Sequence, residues 1–183
     1  MKSRFLLLLA VALGASGLTA ADHVVQFDPA QSTVDVTVKA TVDSFTGKLA
    51  AYDLTGAADD SGRIVSARLA FHFRDVLTGK PKRDTAMHEW QHTDQFPDAR
   101  FELTALTTAS DGSSRASGKL TFHGVTRELS FPVTVAHAGA TYAIDGEAPI
   151  DTREFGLPII RMMGLLKVDP IVRVRFHFQG KLA

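Results

Sequence analysis

His88, Glu89 and His92 stand in the order H-E-x-x-H within "MHEWQH". On a helix this spacing sets two imidazoles on one face, where they can share a zinc ion with the glutamate as general base. A zinc hydrolase also needs a third protein ligand and an open position for water. The remaining downstream histidines are His123, His137 and His177. Strand parity puts His123 and His177 on outward faces, and His137 falls in the turn "AHAGA". No second long helical segment follows to carry a glutamate ligand. The pattern then reads as a surface helix, with Met87 and Trp90 packed down and His88, Glu89 and His92 facing water; a zinc hydrolase using His88 and His92 is kept as the alternative.

No other catalytic constellation competes. No glycine-rich phosphate loop occurs, nor a nucleophile with a base at workable spacing. The acidic pair Asp59–Asp60 lies in the turn "DDSG". The chain reads as a non-enzyme.

The elements around these residues come from periodicity. Most of the chain after Asp22 alternates apolar and polar residues with period two, the pattern of half-buried strands. Val34, Val36 and Val38 face one way; so do Val65, Ala67, Leu69, Phe71 and Phe73; so do Phe101, Leu103 and Ala105. Leu120 and Phe122, then Leu129, Phe131, Val133 and Val135, then Tyr142 and Ile144, and finally Val172, Val174, Phe176 and Phe178 continue it. Short turns rich in Gly, Ser and Asp separate the runs, so the fold class is all-β, with antiparallel strands closing into a barrel or sandwich. Two stretches break the alternation. Lys80–Pro97, bounded by Pro81 and Pro97, fits a helix of about three turns. Thr152–Val168 is interrupted by Gly and Pro and rich in Leu, Ile and Met.

Of the 183 residues, the first carry a different signal. Lys2 and Arg4 precede the apolar run "FLLLLAVALGASG", and "LTAAD" follows. This is a secretory signal peptide, 1–21, with cleavage expected after Ala20 or Ala21. At roughly thirteen residues the run falls short of the about 20 that span a bilayer, so the mature chain, 22–183, is expected to have no transmembrane segment. Removing Lys2 and Arg4 leaves 18 basic against 20 acidic side chains. No basic stripe is present, which argues against nucleic acid as a partner. The chain has no cysteine, so disulfides, thiolate metal sites and a lipid-modified N-terminal cysteine are excluded.

A barrel of about eight strands either fills with side chains or leaves room for one ligand. A packed core and a cavity for a long apolar ligand both fit the Phe, Val, Leu and Ala of the inward faces. The Met- and Leu-rich segment suits a mouth, because methionine adapts to irregular shapes. Arg153, Arg161 and Lys167 lie around it and suit either structural ion pairs or an anionic head group.

Four motifs in order resemble the YceI-like family of exported polyisoprenoid-binding proteins. Ser32 is followed by Phe45, Thr46 and Gly47, similar to the family's apolar-Thr-Gly turn element. Thr78, Gly79, Arg83, Asp84, Phe96, Pro97 and Phe101 match its Thr-Gly, Arg-Asp and aromatic-Pro-x-x-x-Phe sequence. Gly118, Leu120, Thr121, Gly124 and Thr126 match G-x-L-T-x-x-G-x-T, and Arg153, Phe155 and Gly156 resemble its R-x-x-F-G element with one residue fewer between Arg and Phe. Where many members carry His-Leu after Arg-Asp, this chain has Ala86 and Met87. The resemblance covers about Val25 to Leu182 and implies a lipocalin-like closed barrel with one connecting helix and an apolar loop segment. It implies a periplasmic carrier for a long isoprenoid, such as a quinone or polyprenyl lipid, with no cofactor of its own. The expected lining is Val36, Phe45, Leu69, Phe71, Met87, Trp90, Phe101, Phe122, Phe131, Phe155, Leu157, Met162 and Phe176. Arg83, Arg153 and Arg161 are the expected contacts to a polar head. A homodimer stays open, as does a stress-associated structural domain with a filled interior.

Overall fold

Alternation becomes strand pairing throughout the computed structural model, which describes residues 22–41, 43–162 and 166–183, without the side chains of 162 and 166. The expected signal peptide, Met163, Leu165 and the side chain of Met162 therefore lie outside the described residues. Among the described residues, thirteen strands and one α-helix form. They are β1 (His23–Phe27), β2 (Thr33–Lys39), β3 (Ser44–Leu49), β4 (Asp53–Ala58), β5 (Ile64–His72), β6 (Val76–Leu77), α1 (Pro81–Gln91), β7 (Asp98–Thr108), β8 (Ser114–Phe122), β9 (Val125–Ala138), β10 (Thr141–Asp151), β11 (Arg161–Met162), β12 (Leu166–Lys167) and β13 (Ile171–Leu182).

Eight strands close a barrel in the order β1-β4-β5-β7-β8-β9-β10-β13, and β13 returns to β1. All these pairings are antiparallel. Closure removes the free strand edges along which chains aggregate. Strand β13 is long enough to hold two partners end to end. Near its C-terminus Phe27 of β1 faces Gly180, and further up Val34 of β2 faces Phe176. Between β1 and β2 the chain makes one 3-10 turn, Pro29–Gln31, started by Asp28, whose carboxylate accepts from the Ala30 N–H, and by proline at the first position. Ser32 then repairs the ladder: its Oγ accepts from the Gln179 N–H at 3.1 Å. Strands β3 and β6 extend the sheet beyond β2 at one end. The triplet Phe45-Thr46-Gly47, expected as a turn element, is part of β3 and pairs with β2. The turn lies before it.

Two inward assignments change because of bulges. Between β4 and β5 the register slips at Ala57/Ala58, so Ile64 is 5% exposed and Val65 40% exposed. Between β7 and β8 it slips at Leu103/Ala105, so Ala105 turns out and Leu106 lines the interior. An extra residue on one strand reverses the parity of everything beyond it.

The up-and-down order gives the barrel two ends. At one, the turns 59–63, 109–113 and 139–140 meet the chain termini of the domain. Tyr142 is fully buried there, donates its hydroxyl to the Gly62 carbonyl at 3.1 Å and stacks on His137 with ring centroids 4.5 Å apart. His137 thus belongs to β9 rather than to a turn, because that strand runs on to Ala138. At the other end lie the β2–β3 turn, α1, the β8–β9 turn and the long 152–170 connection.

Helix α1 starts with Pro81 at its first position and ends after three turns, where His92 adopts the left-handed conformation at φ 54°. Beneath its end Gln91 and Thr93 are buried, yet satisfied. The Gln91 side-chain amide donates to the Phe96 carbonyl and its oxygen accepts from the Thr93 hydroxyl at 2.6 Å. That meets the demand that buried polar groups keep partners.

Candidate ligand cavity and its mouth

The inward faces leave a cavity of about 120 Å³ inside the barrel. Every side chain lining it is apolar. Leu54, Ala67 and Leu69 come from β4 and β5, Phe101 and Leu103 from β7, and Leu129, Phe131 and Val133 from β9; Ile144, Ala148 and Ile150 come from β10, and Val174, Phe176 and Phe178 from β13. An aromatic row runs along one wall: Phe101 lies 5.5 Å from Phe131, Phe131 6.0 Å from Phe176, and Phe176 4.9 Å from Phe178, centroid to centroid.

A packed layer roofs the cavity on the helix side. Phe73 stacks on Phe122 at 5.6 Å, Phe122 lies 5.5 Å from Phe155, and Leu157 is buried beside them. The 3-10 turn Thr152–Phe155 brings Phe155 in, and its carbonyl accepts from His123 Nδ1 at 2.8 Å. His123, expected on an outward strand face, instead occupies the tight β8–β9 turn at φ 49°, with its Nε2 buried. A two-residue turn has no outward strand face to offer, and the Phe155 carbonyl draws the ring in.

Above this roof is a second, more open pocket of about 640 Å³. Val38, Ala40 and Phe45 form one wall, Ala86, Met87 and Trp90 of α1 another, and Pro158, Ile159 and Ile160 a third. Its charged members are Arg83, Arg161, Asp43 and Asp169. The Arg83 guanidinium sits 4.2 Å over the Phe45 ring, an arrangement that favours a partly desolvated cation.

Of the expected lining, the structure brings Leu69, Phe101, Phe131 and Phe176 to the inner cavity and Phe45, Met87 and Trp90 to the mouth. Phe122, Phe155 and Leu157 form the roof, and Val36 packs against that same cluster. Phe71 is half-buried and packs against that cluster too, and it also borders a surface groove with Tyr52, His72 and Asp98. Of the expected head-group contacts, Arg83 and Arg161 line the mouth. Arg153 does not; it pairs with Asp151, which starts the 3-10 turn and is held below its ordinary pKa by that guanidinium. Most of the inner lining was missing from the expectation, including Ile64 and Leu106, hidden by bulges, and Val174 and Phe178, whose position was readable from strand parity.

His88, Glu89 and His92 border one surface pocket at the end of α1. His88 is half-buried with its ring edge toward Phe73, centroids 6.3 Å apart, while His92 leaves the helix in its left-handed conformation. Half-buried His88 departs from the expected water-facing position because α1 lies over Phe73. Among the described residues no three His, Asp or Glu side chains are placed to hold a metal ion.

The model of the YceI-like domain matches residues 25–180. The chain belongs to the YceI-like family. Among solved structures, Burkholderia cenocepacia BcnA is similar at 24% identity and a TM-score of 0.74, over 84% of this chain and 99% of that one. A polyisoprenoid binding domain from Saccharophagus degradans, implicated in plant cell wall breakdown, is similar at 14% identity and 0.65, over 89% and 100%. The Campylobacter jejuni YCEI protein is similar at 12% and 0.68, over 78% and 88%. At these identities the solved structures show a shared fold. No curated protein matches the sequence. Within the YceI-like family frame, the eight-stranded barrel is the shared part, and the Arg83–Phe45 contact at the mouth is read from this chain itself. No helix among the described residues is long and apolar enough to cross a membrane.

Proposed function

We propose that this YceI-like chain is a periplasmic binding protein, exported by its first 21 residues, that shelters a polyisoprenoid or similar long-chain lipid and catalyses nothing. The observation that carries this reading is the inner cavity, where no polar side chain is available to orient a reactive substrate. A site of that kind rewards apolar area alone, at about 25 cal/mol per Å². The Saccharophagus degradans relative, a polyisoprenoid binding domain, supports the ligand class. Arg83 and Arg161 suit a polar or anionic head at the mouth while the chain runs inward.

The cavity of about 120 Å³ is smaller than the roughly 300–1,000 Å³ of usual ligand sites. A long chain therefore enters by turning the aromatic row and parting the Phe122–Phe155 roof. The same small volume favours, as a second reading, a filled structural barrel.

Native mass spectrometry of the protein isolated from the periplasm separates the readings. A mass increment removed by organic solvent and identified as an isoprenoid is the expected result. A single chelator-sensitive zinc would return attention to His88 and His92, and no increment would favour the filled barrel. Ala116, buried on the cavity wall, supplies the matched variant. Ala116→Trp fills the space and is expected to stay folded, at a cost of about 1–3 kcal/mol, while losing the lipid. Lipid retained by a folded Ala116→Trp protein would place the ligand elsewhere.

A further inference from the structure

We propose that the mouth of the barrel docks on an anionic lipid bilayer, so that the ligand passes between bilayer and cavity without crossing water. This rests on the carrier reading and adds where the lipid is exchanged.

The argument is the placement of charge. Three segments ring the mouth pocket, and each brings cations: Lys39 from the end of β2, Lys80, Lys82 and Arg83 from the start of α1, and Arg161 and Lys167 from the β11–β12 pair. All but half-buried Arg83 are exposed. No ion pair among the described residues uses any of the six. Three acids lie among these six cations, half their number, and each is held by a backbone N–H. Asp43 accepts from the Ser44 N–H at 2.8 Å, Asp84 from the Thr78 N–H at 3.0 Å, and Asp169 from the Ile171 N–H at 2.9 Å. Further round the same end, away from the pocket, Arg74 pairs with Asp94 and Arg153 with Asp151, and Arg127 donates to the Glu154 carbonyl. The opposite end carries Asp22, Asp59, Asp60 and Asp111 in or beside its turns; there Arg63 is paired to Asp59, while exposed Arg115 and Lys181 sit among those acids without an ion pair among the described residues. A chain whose 22–183 portion is slightly acidic thus gathers six cations on the segments that border an apolar opening, and two of them, Arg83 and Arg161, line it.

Between those cations lie exposed Pro158 and half-buried Ile159 and Ile160, with Ile171 40% exposed nearby. Cations around a shallow apolar surface match a bilayer, where phosphate groups surround acyl chains. An acidic protein would match the charge but gives no reason for the apolar pocket at its centre. The attraction acts within a Debye length of about 8 Å at physiological salt, so it operates at contact and weakens as salt rises.

Vesicle flotation with the 22–183 chain tests this, using neutral phosphatidylcholine vesicles and vesicles enriched in phosphatidylglycerol. Flotation with the anionic vesicles only, reversed by salt, is expected. The triple variant Lys39→Glu, Lys82→Glu, Lys167→Glu should bind at least about tenfold more weakly, while Arg115→Glu with Lys181→Glu, at the far end, should bind as the parent does. No flotation, equal flotation on both vesicle types, or undiminished binding by the triple variant would overturn the proposal; binding of an acidic protein in place of vesicles would do the same. Bound isoprenoid is measured by mass in every sample. Its absence from the parent defeats the carrier reading, whereas its retention by a triple variant that no longer floats is the outcome the docking face requires.

Discussion

The Trp90 indole N–H donates to the carbonyl oxygen of Pro158 at 2.9 Å, tying α1 to the segment that crosses the barrel mouth. Sixty-eight residues of sequence separate the two, so the bond joins parts of the chain that meet only after the barrel closes. Both residues line the mouth pocket. Trp90→Phe keeps an aromatic wall and removes the donor, at about 0.5–1.5 kcal/mol. Faster amide exchange in α1 and faster release of bound lipid are expected, without loss of the fold. Exchange rates in α1 equal to those of the parent would mean that the bond does not restrain the helix.

Gly118 marks a close approach rather than a turn. A Cβ there would collide with the Phe101 ring and with the Glu102 carbonyl oxygen. The missing side chain leaves room for the Phe101 ring, which lines the cavity. Gly118→Ala is expected to destabilise the barrel by about 1–3 kcal/mol, read as a lower urea midpoint. An unchanged midpoint would show that Phe101 can swing away at no cost.

Three carboxylates predict the acid limb of stability. The Ser61 hydroxyl and the Arg63 backbone N–H hold Asp59 down to about 2, from an ordinary 3.8. Arg175 and Arg173 lower Glu147, and Arg153 lowers Asp151. Each is depressed in the folded state, so the unfolded chain takes up protons first as pH falls. Their contribution is complete above the unfolded values near 4 and disappears as pH drops through the lower, folded ones. Urea midpoints should therefore be flat above about pH 5 and fall between about pH 4 and 2. Asp59→Asn should shallow that fall; an identical slope would assign the acid sensitivity to other groups.

Much of this molecule is legible without its coordinates. Val34, Leu120, Phe131, Val133 and Phe178 alternate with polar neighbours because a strand's side chains point to opposite faces, and that local rule suffices to name the strands and most of the core. Pro81 at the start of α1 is equally local. The order Ser32, Thr78-Gly79, Arg83-Asp84 and Arg153-x-Phe155-Gly156 was enough to read the family.

Other features depend on residues far apart in sequence. The slips at Ala57/Ala58 and Leu103/Ala105 exist only between paired strands, so Ile64 and Leu106 replace Val65 and Ala105 inside for a reason neither strand contains alone. Division of the apolar face into cavity, roof and mouth arises from the docking of α1 and of the segment after β10, which sends Phe122 and Phe155 to the roof. The spacing of His88 and His92 was a property of the sequence; the packing of His88 against Phe73 was not. Where α1 ends, and His92 enters the left-handed region, follows from how residues 92–97 pack under the helix, with Gln91 buried against the Phe96 carbonyl. Local periodicity determined the strands and their faces, and long-range packing determined what those faces enclose.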